Sequence, residues 1–445
     1  MKRCSLIILV TCFFLLNCIM AATVWQGVAF ANPDDESHAS TYADSFDDPT
    51  EPSNLLPLID ERKAQRDSLL GVSPLGKVRD ETEILKQELY DATGIKLGIL
   101  LGHVFQKVTD SLPGQDEAGT ATVLHMLGSW DLINKGKPTL GQLFFHVEGR
   151  WDYGTTGPEE LGTNSLGSAI GTADTFSKYS PAFLLRDLYW RQGSPEAGWV
   201  YRAGKITPDS LLASSAHLDP YSNFLPSGGT GAFAIALPDS GLGAAGAWYF
   251  SDRIALAGLI SDANADRFDY DARDISEGDF FKAVELHFKV APRTPKAGFS
   301  KITLWQTDGT KNNNPANAQA GPSGWGYFIK HEQELTADGR LIGILRYGKC
   351  FDDSAVYEQQ GAAHLLLYEP RVLTRLKNDL VGAAFNWAKT AIPEKRSEYH
   401  LEVFYRFPIV PSVDTTLSYQ YVINPALTRD IDHASVFSLR FSTVF

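Results

Sequence analysis

One set of side chains in this chain is suited to contact a solute: charged and aromatic residues that recur on one side of segments with alternating polarity. Its twelve members are Glu148, Arg150, Asp187, Arg191, Arg202, Glu285, Trp305, Lys330, Glu332, Arg346, Glu402 and Arg406. Groups of both charge signs can replace the hydrogen bonds that a hydroxylated solute loses on leaving water, and a flat indole can stack on a sugar. Because a wall of one sign would select ions, the mixture favours a constriction for neutral polyhydroxylated solutes. The alternative interpretation is that all twelve are ordinary solvated residues of a lumen.

Motifs of known catalytic or metal-binding chemistry are absent from the sequence. It contains no nucleophile elbow, P-loop, HExxH helix or paired cysteine motif. His146, His287 and His400 stand singly in predicted strands, so we interpret them as polar wall residues rather than ligands. We expect no enzyme, no cofactor and no metal site. A barrel hydrolase would need a Ser–His or carboxylate pair near the rim. The acidic stretch 262–279 could bind cations, although a solvated loop is favoured there.

The elements that would position these side chains are strands. Successive side chains of a strand point to opposite faces, and the final stretch, 437–445, alternates large apolar with polar residues. Similar patterns recur in sixteen segments, an even number that is typical of single-chain bacterial barrels. The predicted strands are 94–106, 120–131, 140–153, 182–192, 198–206, 241–250, 253–262, 279–290, 299–308, 323–334, 340–349, 360–370, 379–389, 398–408, 412–424 and 434–445. The predicted fold is all-β: a 16-stranded antiparallel transmembrane β-barrel of the outer-membrane porin class, with a short N-terminal helical periplasmic segment.

The distribution of charge decides which face of each strand looks inward. In 140–153, Glu148 and Arg150 share one face, while Phe145 and Val147 share the other. An Arg or Lys facing lipid near mid-membrane would cost about 2–4 kcal/mol, so the charged face is assigned to the lumen. A soluble β-sandwich would make the opposite assignment. The length of the segments, with Tyr and Trp near their ends, favours the membrane barrel.

The connections between predicted strands alternate between short and long. Short turns are predicted at the periplasmic end and long loops at the outer end. The loop 207–240 is too long and too apolar for a free outer loop, so we predict that it folds inward and buries Tyr221, Phe224 and Leu225. The stretch 233–237 could form a further strand, but the even strand number places it within this loop.

Residues 1–31 are predicted to be an export signal. Lys2 and Arg3 precede an apolar run, and a small-x-small cleavage site ends at Ala31. Cleavage after Ala31 is favoured over cleavage after Ala22. Lipidation at Cys18 is disfavoured, because an asparagine precedes it.

The remaining chain is divided into two predicted parts. Residues 32–92 are expected to form a periplasmic segment with a helix at 79–90, and a second candidate helix lies near 55–70. Ile84 and Leu85 share an apolar stripe of the first helix, which we expect to lie against the periplasmic mouth of the barrel. Residues 93–445 are expected to form the barrel itself.

The charge balance and the C-terminus indicate the expected partners. Loss of Lys2 and Arg3 with the signal changes the formal net charge from -13 to -15, and this acidity disfavours nucleic acid. Expected partners are sugars as permeating solutes, outer-membrane lipid and lipopolysaccharide, and the barrel assembly machinery through the strand ending at Phe445. Both a homotrimer and a single barrel are compatible with the sequence.

Several short stretches, taken in order along the chain, resemble the carbohydrate-selective porin (OprB) family. The weaker ones are 188–192 leading into 201–205, 280–285, 345–348 and 402–406. The most specific is 417–425, which reads Leu-Ser-Tyr-Gln-Tyr-Val-Ile-Asn-Pro and is followed by the terminal strand. The resemblance covers about residues 75–445.

The resemblance implies a 16-stranded outer-membrane barrel that passes sugars by diffusion, with an inward loop and a mixed-charge constriction. Two departures affect the expected solute. The stretch 76–80 replaces a Gly-Asp-Trp-Gly-Gly-type sequence, and Arg191 stands where a Glu is common. Because the second departure reverses a charge in the predicted lumen, the preferred solute is left open. The alternatives are a general or ion-preferring porin on the same barrel and a soluble extracellular β-protein.

Overall fold

The structure, a computed structural model, describes residues 68–71, 76–215, 217–268, 278–290, 297–309, 323–373, 376, 378–391 and 396–444. Several predictions lie outside these residues: the export signal with its cleavage sites, lipidation at Cys18, most of the second candidate helix, the acidic residues 269–277 and the terminal Phe445. They stay predictions.

The described chain is dominated by strands with the predicted alternation. The sixteen strands are β1 (Ile95–Val108), β2 (Ala118–Ile133), β3 (Gly141–Asp152), β4 (Phe183–Ser194), β5 (Trp199–Ile206), β6 (Gly241–Tyr249), β7 (Ile254–Asp262), β8 (Phe280–Val290), β9 (Gly298–Thr307), β10 (Gly324–Glu334), β11 (Leu341–Cys350), β12 (Tyr357–Tyr368), β13 (Leu380–Thr390), β14 (Glu398–Val410), β15 (Val413–Ile423) and β16 (His433–Val444). The predicted strands are confirmed, and their ends differ from the prediction by at most three residues.

The sheet closes on itself. Each strand pairs antiparallel with its sequence neighbours, and β1 pairs with β16 through partners such as Leu100 and Val444. Closure removes both free sheet edges, so the backbone hydrogen bonds of the outermost strands are satisfied. The predicted 16-stranded antiparallel barrel is therefore confirmed.

The two faces of the wall differ as the alternation requires. On β14, Leu401 and Val403 are exposed on the outer face, while His400 and Glu402 are buried on the inner face. The same division holds on β9, where Leu304 is exposed outside and Thr303 is buried inside. The outer belt of exposed apolar side chains is the surface that a lipid bilayer would cover.

A helix, α1 (Gly76–Thr93), leads directly into β1. It extends the predicted helix at both ends, and the Tyr90 hydroxyl donates a hydrogen bond to Asp131 Oδ2 at 3.2 Å. The predicted use of its apolar stripe is wrong, because Ile84 and Leu85 are exposed. The helix instead turns the side that carries Tyr90 toward the barrel. Within the described residues, no helix has the length and apolar character needed to cross a bilayer.

The segment 68–71 corrects the end of the second candidate helix. These residues are not helical. The Leu69 and Leu70 amides each donate a hydrogen bond of 3.0 Å to the carbonyls of Pro408 and Ile409, respectively, near the end of β14. The segment pairs with a strand end there, which satisfies backbone groups that a helix would have bonded internally.

Two loops fill much of the space inside the barrel. The first, residues 153–182, contains a one-turn helix, α2 (Pro158–Glu160), that continues into a π-helical turn at Leu161–Ser165. The second, residues 207–240, contains the short helix α3 (Ser227–Thr230) and 3₁₀ turn Pro208–Ser210; another 3₁₀ turn, Pro195–Ala197, joins β4 to β5. The stretch 233–237 lies in the second loop and forms no strand, as expected.

The principal apolar core of the described residues lies inside the barrel, between these loops and the wall. Tyr221, Phe224 and Leu225 of the second loop are buried, as predicted. Phe176 of the first loop packs in the same cluster as Tyr221, together with wall residues such as Phe144. In an open, water-filled pore the inner wall would be polar. Here the loops bring apolar side chains inward, so apolar residues of the wall have partners to pack against.

Candidate functional site: the inner wall and its two loops

The first cluster of predicted residues lies where β3 meets β4. Arg150 Nε donates to Glu148 Oε1 at 2.5 Å, and Arg186 Nη1 donates to Glu148 Oε2 at 2.7 Å. Arg186 was not predicted to face inward, because strict alternation places it on the opposite face of the strand from Asp187, toward lipid. The pairing of β3 with β4 shifts register beside His146, and this bulge lets both neighbours reach inward. The result is a carboxylate held between two guanidinium groups.

Histidines complete this cluster. Asp187 Oδ2 lies 3.1 Å from His146 Nδ1, and His146 Nε2 lies 2.9 Å from His125 Nδ1. Among the described residues, His125, His146 and Glu148 form the one group of three side chains whose ligand-type atoms all lie within 4.8 Å of one another. The expectation that His146 stands alone is therefore wrong, because the pairing of β2 with β3 supplies a second imidazole.

The second cluster spans β8 to β10 and holds the start of the loop 207–240. Glu285 Oε2 accepts a hydrogen bond of 2.7 Å from the backbone N–H of Ala213. Lys330 donates to the carbonyl of Ser214 and, at 2.6 Å, to Glu332. Lys301, which was not predicted, donates to the same carbonyl at 3.1 Å. Three charged wall residues of both signs thus bind two adjacent loop residues, and Glu332 pairs with one of the three.

The third cluster lies on β14 to β16 and holds the middle of the same loop. Glu402 accepts from the N–H of Leu225 at 3.2 Å, and Arg406 Nη1 donates to Asn223 Oδ1 at 3.1 Å. Arg440 donates to the carbonyl of Asn223 at 2.7 Å. The alternation of the terminal strand already places Arg440 on the inner face, so sequence reasoning had the signal needed to find it.

Arg346 on β11 holds the end of the loop. Its guanidinium donates to the carbonyls of Gly229 and, at 2.9 Å, Gly231. Gln360 on β12 donates to Gly231 as well, also at 2.9 Å. A Cβ at Gly229 would lie 2.8 Å from an oxygen of the Asn386 side chain, so a larger residue there would have to displace that side chain.

The remaining predicted residues have different surroundings. Arg191 Nη1 donates to Gln142 Oε1 at 3.1 Å, and Arg202, its partner in the strand register, lies over the Tyr189 ring at 4.7 Å. Trp305 is buried and stacks near Phe281 with ring centroids 6.4 Å apart. Its indole is therefore covered by protein in this conformation rather than open to a solute.

The twelve predicted residues thus face inward but do not form one ring. Eleven of them are buried, and Arg191 is half-buried. Eight of the buried ones hold loop backbone, loop side chains or one another: Glu148, Arg150, Glu285, Lys330, Glu332, Arg346, Glu402 and Arg406. The inner charges therefore position two loops, and those loops shape the space that a solute would enter.

One carboxylate that sequence reasoning missed accepts several hydrogen bonds from the loop 153–182. Glu398 accepts hydrogen bonds from the N–H groups of Ala169 at 2.7 Å and Ile170 at 3.1 Å, and from the Ser168 hydroxyl. It also accepts from the N–H of Ala426 at 2.7 Å. Glu398 is the first residue of a predicted strand. Nothing in the sequence distinguishes a carboxylate that binds a loop at this position from a solvated carboxylate at the rim.

The two loops also bind each other. The Asp174 N–H donates to the Leu225 carbonyl at 2.8 Å, and the Thr230 hydroxyl donates to Asp174 Oδ2 at 2.6 Å. Burial between the loops raises the pKa of Asp174 to about 6, although the Thr230 hydrogen bond opposes that shift. This contact makes the inner loops one connected layer.

Comparison with known proteins gives the family. A family model described as "Carbohydrate-selective porin, OprB family" matches residues 185–445. The chain belongs to the carbohydrate-selective porin, OprB family. The matched region includes most of β4, all of β5 to β16, and all but two of the twelve predicted residues.

Solved structures agree with this membership at the level of the fold. The high-pH structure of OprB from Pseudomonas putida superposes with a TM-score of 0.67 at 11% identity, covering 82% of this chain and 97% of that one. The low-pH structure of the same protein gives a TM-score of 0.51 at 10% identity, covering 86% and 100%. No curated protein sequence matches the chain. An OprB-family barrel of this kind is a channel of the bacterial outer membrane.

Proposed function

We propose that this OprB-family barrel lets sugars diffuse passively across the outer membrane, through a mixed-charge passage bounded by the wall and the two inner loops. The observation that carries the proposal is the inner wall itself, where clustered charges of both signs hold the backbone of the inner loops. Because acidic and basic groups are mixed, the space bounded by this wall and its loops has no strong field of one sign to select ions.

The loops give the passage its size limit in this proposal. Arg346 supports it most directly, because its guanidinium binds two loop carbonyls. Loss of that side chain would free the Gly229–Gly231 region and enlarge the passage on that side. The twelve wall residues then act on permeation largely through the loops that they hold.

Liposome swelling with a graded sugar series tests the proposal. We expect fast swelling with monosaccharides, slower swelling with maltodextrins of increasing length, and slow entry of gluconate, which matches glucose in size but carries a charge. The variant Arg346→Ala should admit longer maltodextrins. Arg340→Ala is the matched control, since Arg340 is exposed at a short turn and pairs with Asp338 at 2.6 Å.

The alternative is a general or ion-preferring porin on the same barrel. Planar-bilayer recording separates the two. Weak ion selectivity with a current that glucose or maltodextrins reduce supports a sugar passage. Strong ion selectivity with no block by either sugar refutes it.

The remaining partners belong to the same proposal. Outer-membrane lipid and lipopolysaccharide would cover the exposed apolar belt, and the barrel assembly machinery would engage the terminal strand. Export would depend on residues 1–31. Cross-linking in native membranes would distinguish a homotrimer from a single barrel.

A further inference from the structure

Three side chains with metal-binding atoms meet on the inner wall between β2 and β3. His125 and Glu148 are direct partners in the strand register, and His146 lies two residues before Glu148 on the same face of β3. All three are buried, and their ligand-type atoms lie within 4.8 Å of one another. Two imidazoles and a carboxylate are a donor set that suits Zn²⁺ and related transition metals better than Ca²⁺ or Mg²⁺.

One imidazole is already oriented as a ligand. Asp187 Oδ2 lies 3.1 Å from His146 Nδ1. A carboxylate at that position accepts a hydrogen bond from Nδ1–H. This bond leaves the lone pair on Nε2 and fixes the orientation of the ring. His146 Nε2 then points at His125, whose Nδ1 lies 2.9 Å away. The separation of two nitrogens bound to one tetrahedral zinc is about 3.3 Å, so a shift of a few tenths of an ångström admits the ion.

The second imidazole has an unused nitrogen. His125 is fully buried, and its Nε2 has no hydrogen-bond partner among the described residues. The ring lies edge-on to Tyr221 of the inner loop, with centroids 4.5 Å apart. An unpaired buried acceptor costs free energy. Its Nδ1 faces His146, so this nitrogen can serve as the second ligand without a change of ring orientation.

The surrounding charges favour a divalent cation despite two nearby arginines. Arg150 and Arg186 both bind Glu148. Each also has a loop carboxylate near it: Glu159 lies 3.8 Å from Arg150, and Asp209 lies 3.2 Å from Arg186. With Asp187 included, four carboxylates face two guanidinium groups. The formal excess of negative charge equals the charge of one divalent ion.

We propose that His125, His146 and Glu148 bind one transition-metal ion of the Zn²⁺ class, with Asp187 positioning His146. The site lies on the inner wall, where His125 contacts Tyr221 of the second inner loop. Its existence does not depend on which solute the barrel passes.

Metal stoichiometry tests the site directly. Tag-free, detergent-solubilised barrel would be stripped with a chelator, loaded with Zn²⁺, dialysed and analysed for bound zinc. We expect one tightly held equivalent in the unaltered chain. His125→Ala and His146→Ala should each weaken zinc affinity at least tenfold, and Asp187→Asn should weaken it about tenfold through loss of ring orientation.

A histidine elsewhere on the inner wall supplies the matched control. His364 on β12 is buried and inward-facing but lies outside the cluster, so His364→Ala should keep the full equivalent of zinc. A difference in migration between unheated and heated samples on a denaturing gel would verify that each variant is a folded barrel. Equal zinc retention by the unaltered chain, His125→Ala and His146→Ala would overturn the proposal, as would the absence of any retained equivalent.

Spectroscopy on the unaltered chain keeps the proposal testable even if a variant does not fold. X-ray absorption at the zinc edge should report two imidazole nitrogens and a carboxylate oxygen in the first shell. Cobalt loading should give visible absorption of a four-coordinate site. A shell of oxygen atoms without imidazole would overturn the assignment.

Discussion

The two inner loops are held by different chemistry. The loop 207–240 is bound at several separate points by charged side chains from β8 to β16, including Glu285, Arg346 and Arg440. In the loop 153–182, three successive residues, 168–170, bind the one carboxylate of Glu398, and Gln106 and Gln420 both donate to one carbonyl, that of Thr172. The anchors of the loop 207–240 are spread along its length, whereas several contacts of the loop 153–182 converge on one side chain.

This difference has an energetic consequence. A buried backbone group that loses its partner costs about 1–3 kcal/mol. Where anchors are spread over several side chains, one substitution removes one or two such contacts. Where several donors share one carboxylate, one substitution removes all of their contacts together. We therefore expect a single anchor substitution to destabilise the loop 207–240 less than loss of Glu398 destabilises the loop 153–182. Four predictions test this comparison, from the largest effect to the smallest.

Glu398→Ala should have the largest effect. It leaves the N–H groups of Ala169, Ile170 and Ala426 without an acceptor, at a cost of about 3–5 kcal/mol in folding stability. Hydrogen exchange should show loss of protection at Ala169 and Ile170. Glu358→Ala is the control, because Glu358 pairs with Lys389 and neither residue contacts this loop through a described hydrogen bond. Unchanged protection in Glu398→Ala would remove the distinction between the two loops.

Arg346→Ala should have a smaller effect, about 1–2 kcal/mol, because Gln360 still donates to Gly231. Gln360→Ala alone should behave similarly. The double variant should cost more than the sum of the two, since both side chains share one carbonyl. A double-mutant cycle on unfolding midpoints, with exchange at Gly231 as the local readout, checks this. Strict additivity would mean that neither side chain compensates for loss of the other at the Gly231 carbonyl.

The contact between the loops should be sensitive to pH. The pKa of Asp174 in the folded protein is raised to about 6 from 3.8, so the folded state holds a proton that the unfolded state has lost between these values. Stability should therefore rise by about 1 kcal/mol as pH falls from 7 toward 4, after allowance for the half-buried position of the carboxyl. Calorimetric melting of the unaltered chain and Asp174→Asn should differ in slope. Parallel pH profiles would contradict this.

The smallest effect is expected outside the barrel interior. Asp338 pairs with Arg340 at an exposed turn, and hydrogen bonds from Thr336 and Arg340 lower the pKa of Asp338 to about 2. Its contribution is present above pH 4 and is lost as pH falls toward 2. Because the pair is solvated, Asp338→Asn should change stability by less than about 0.5 kcal/mol. A larger loss would show that rim contacts rival the inner anchors.

Much of the barrel follows from local sequence pattern. Strand ends were predicted within three residues because each strand carries a period of two and is bounded by turn residues. Inward burial of Phe224 was predicted from the length and apolar character of its loop. The inward position of Glu402 followed from alternation alone. The exposed stripe of α1 was predicted wrongly, since amphipathic pattern does not specify what a helix will contact.

Contacts between distant segments followed no local rule. The bulge in β4 that turns Arg186 inward is set by pairing with β3. Glu398 meets Ala169 only because the first loop folds across the barrel interior.

By itself, then, the sequence determined the number of strands, their order and the charged inner face, because alternation and the cost of burying charge in lipid act residue by residue. Only the tertiary structure decided what the inner charges do. Register brought His125 to Glu148, and loop folding gave the arginines backbone carbonyls to bind. Those outcomes depend on closure of the sheet and on which loop reaches which strand, and a pattern of period two carries no information about either.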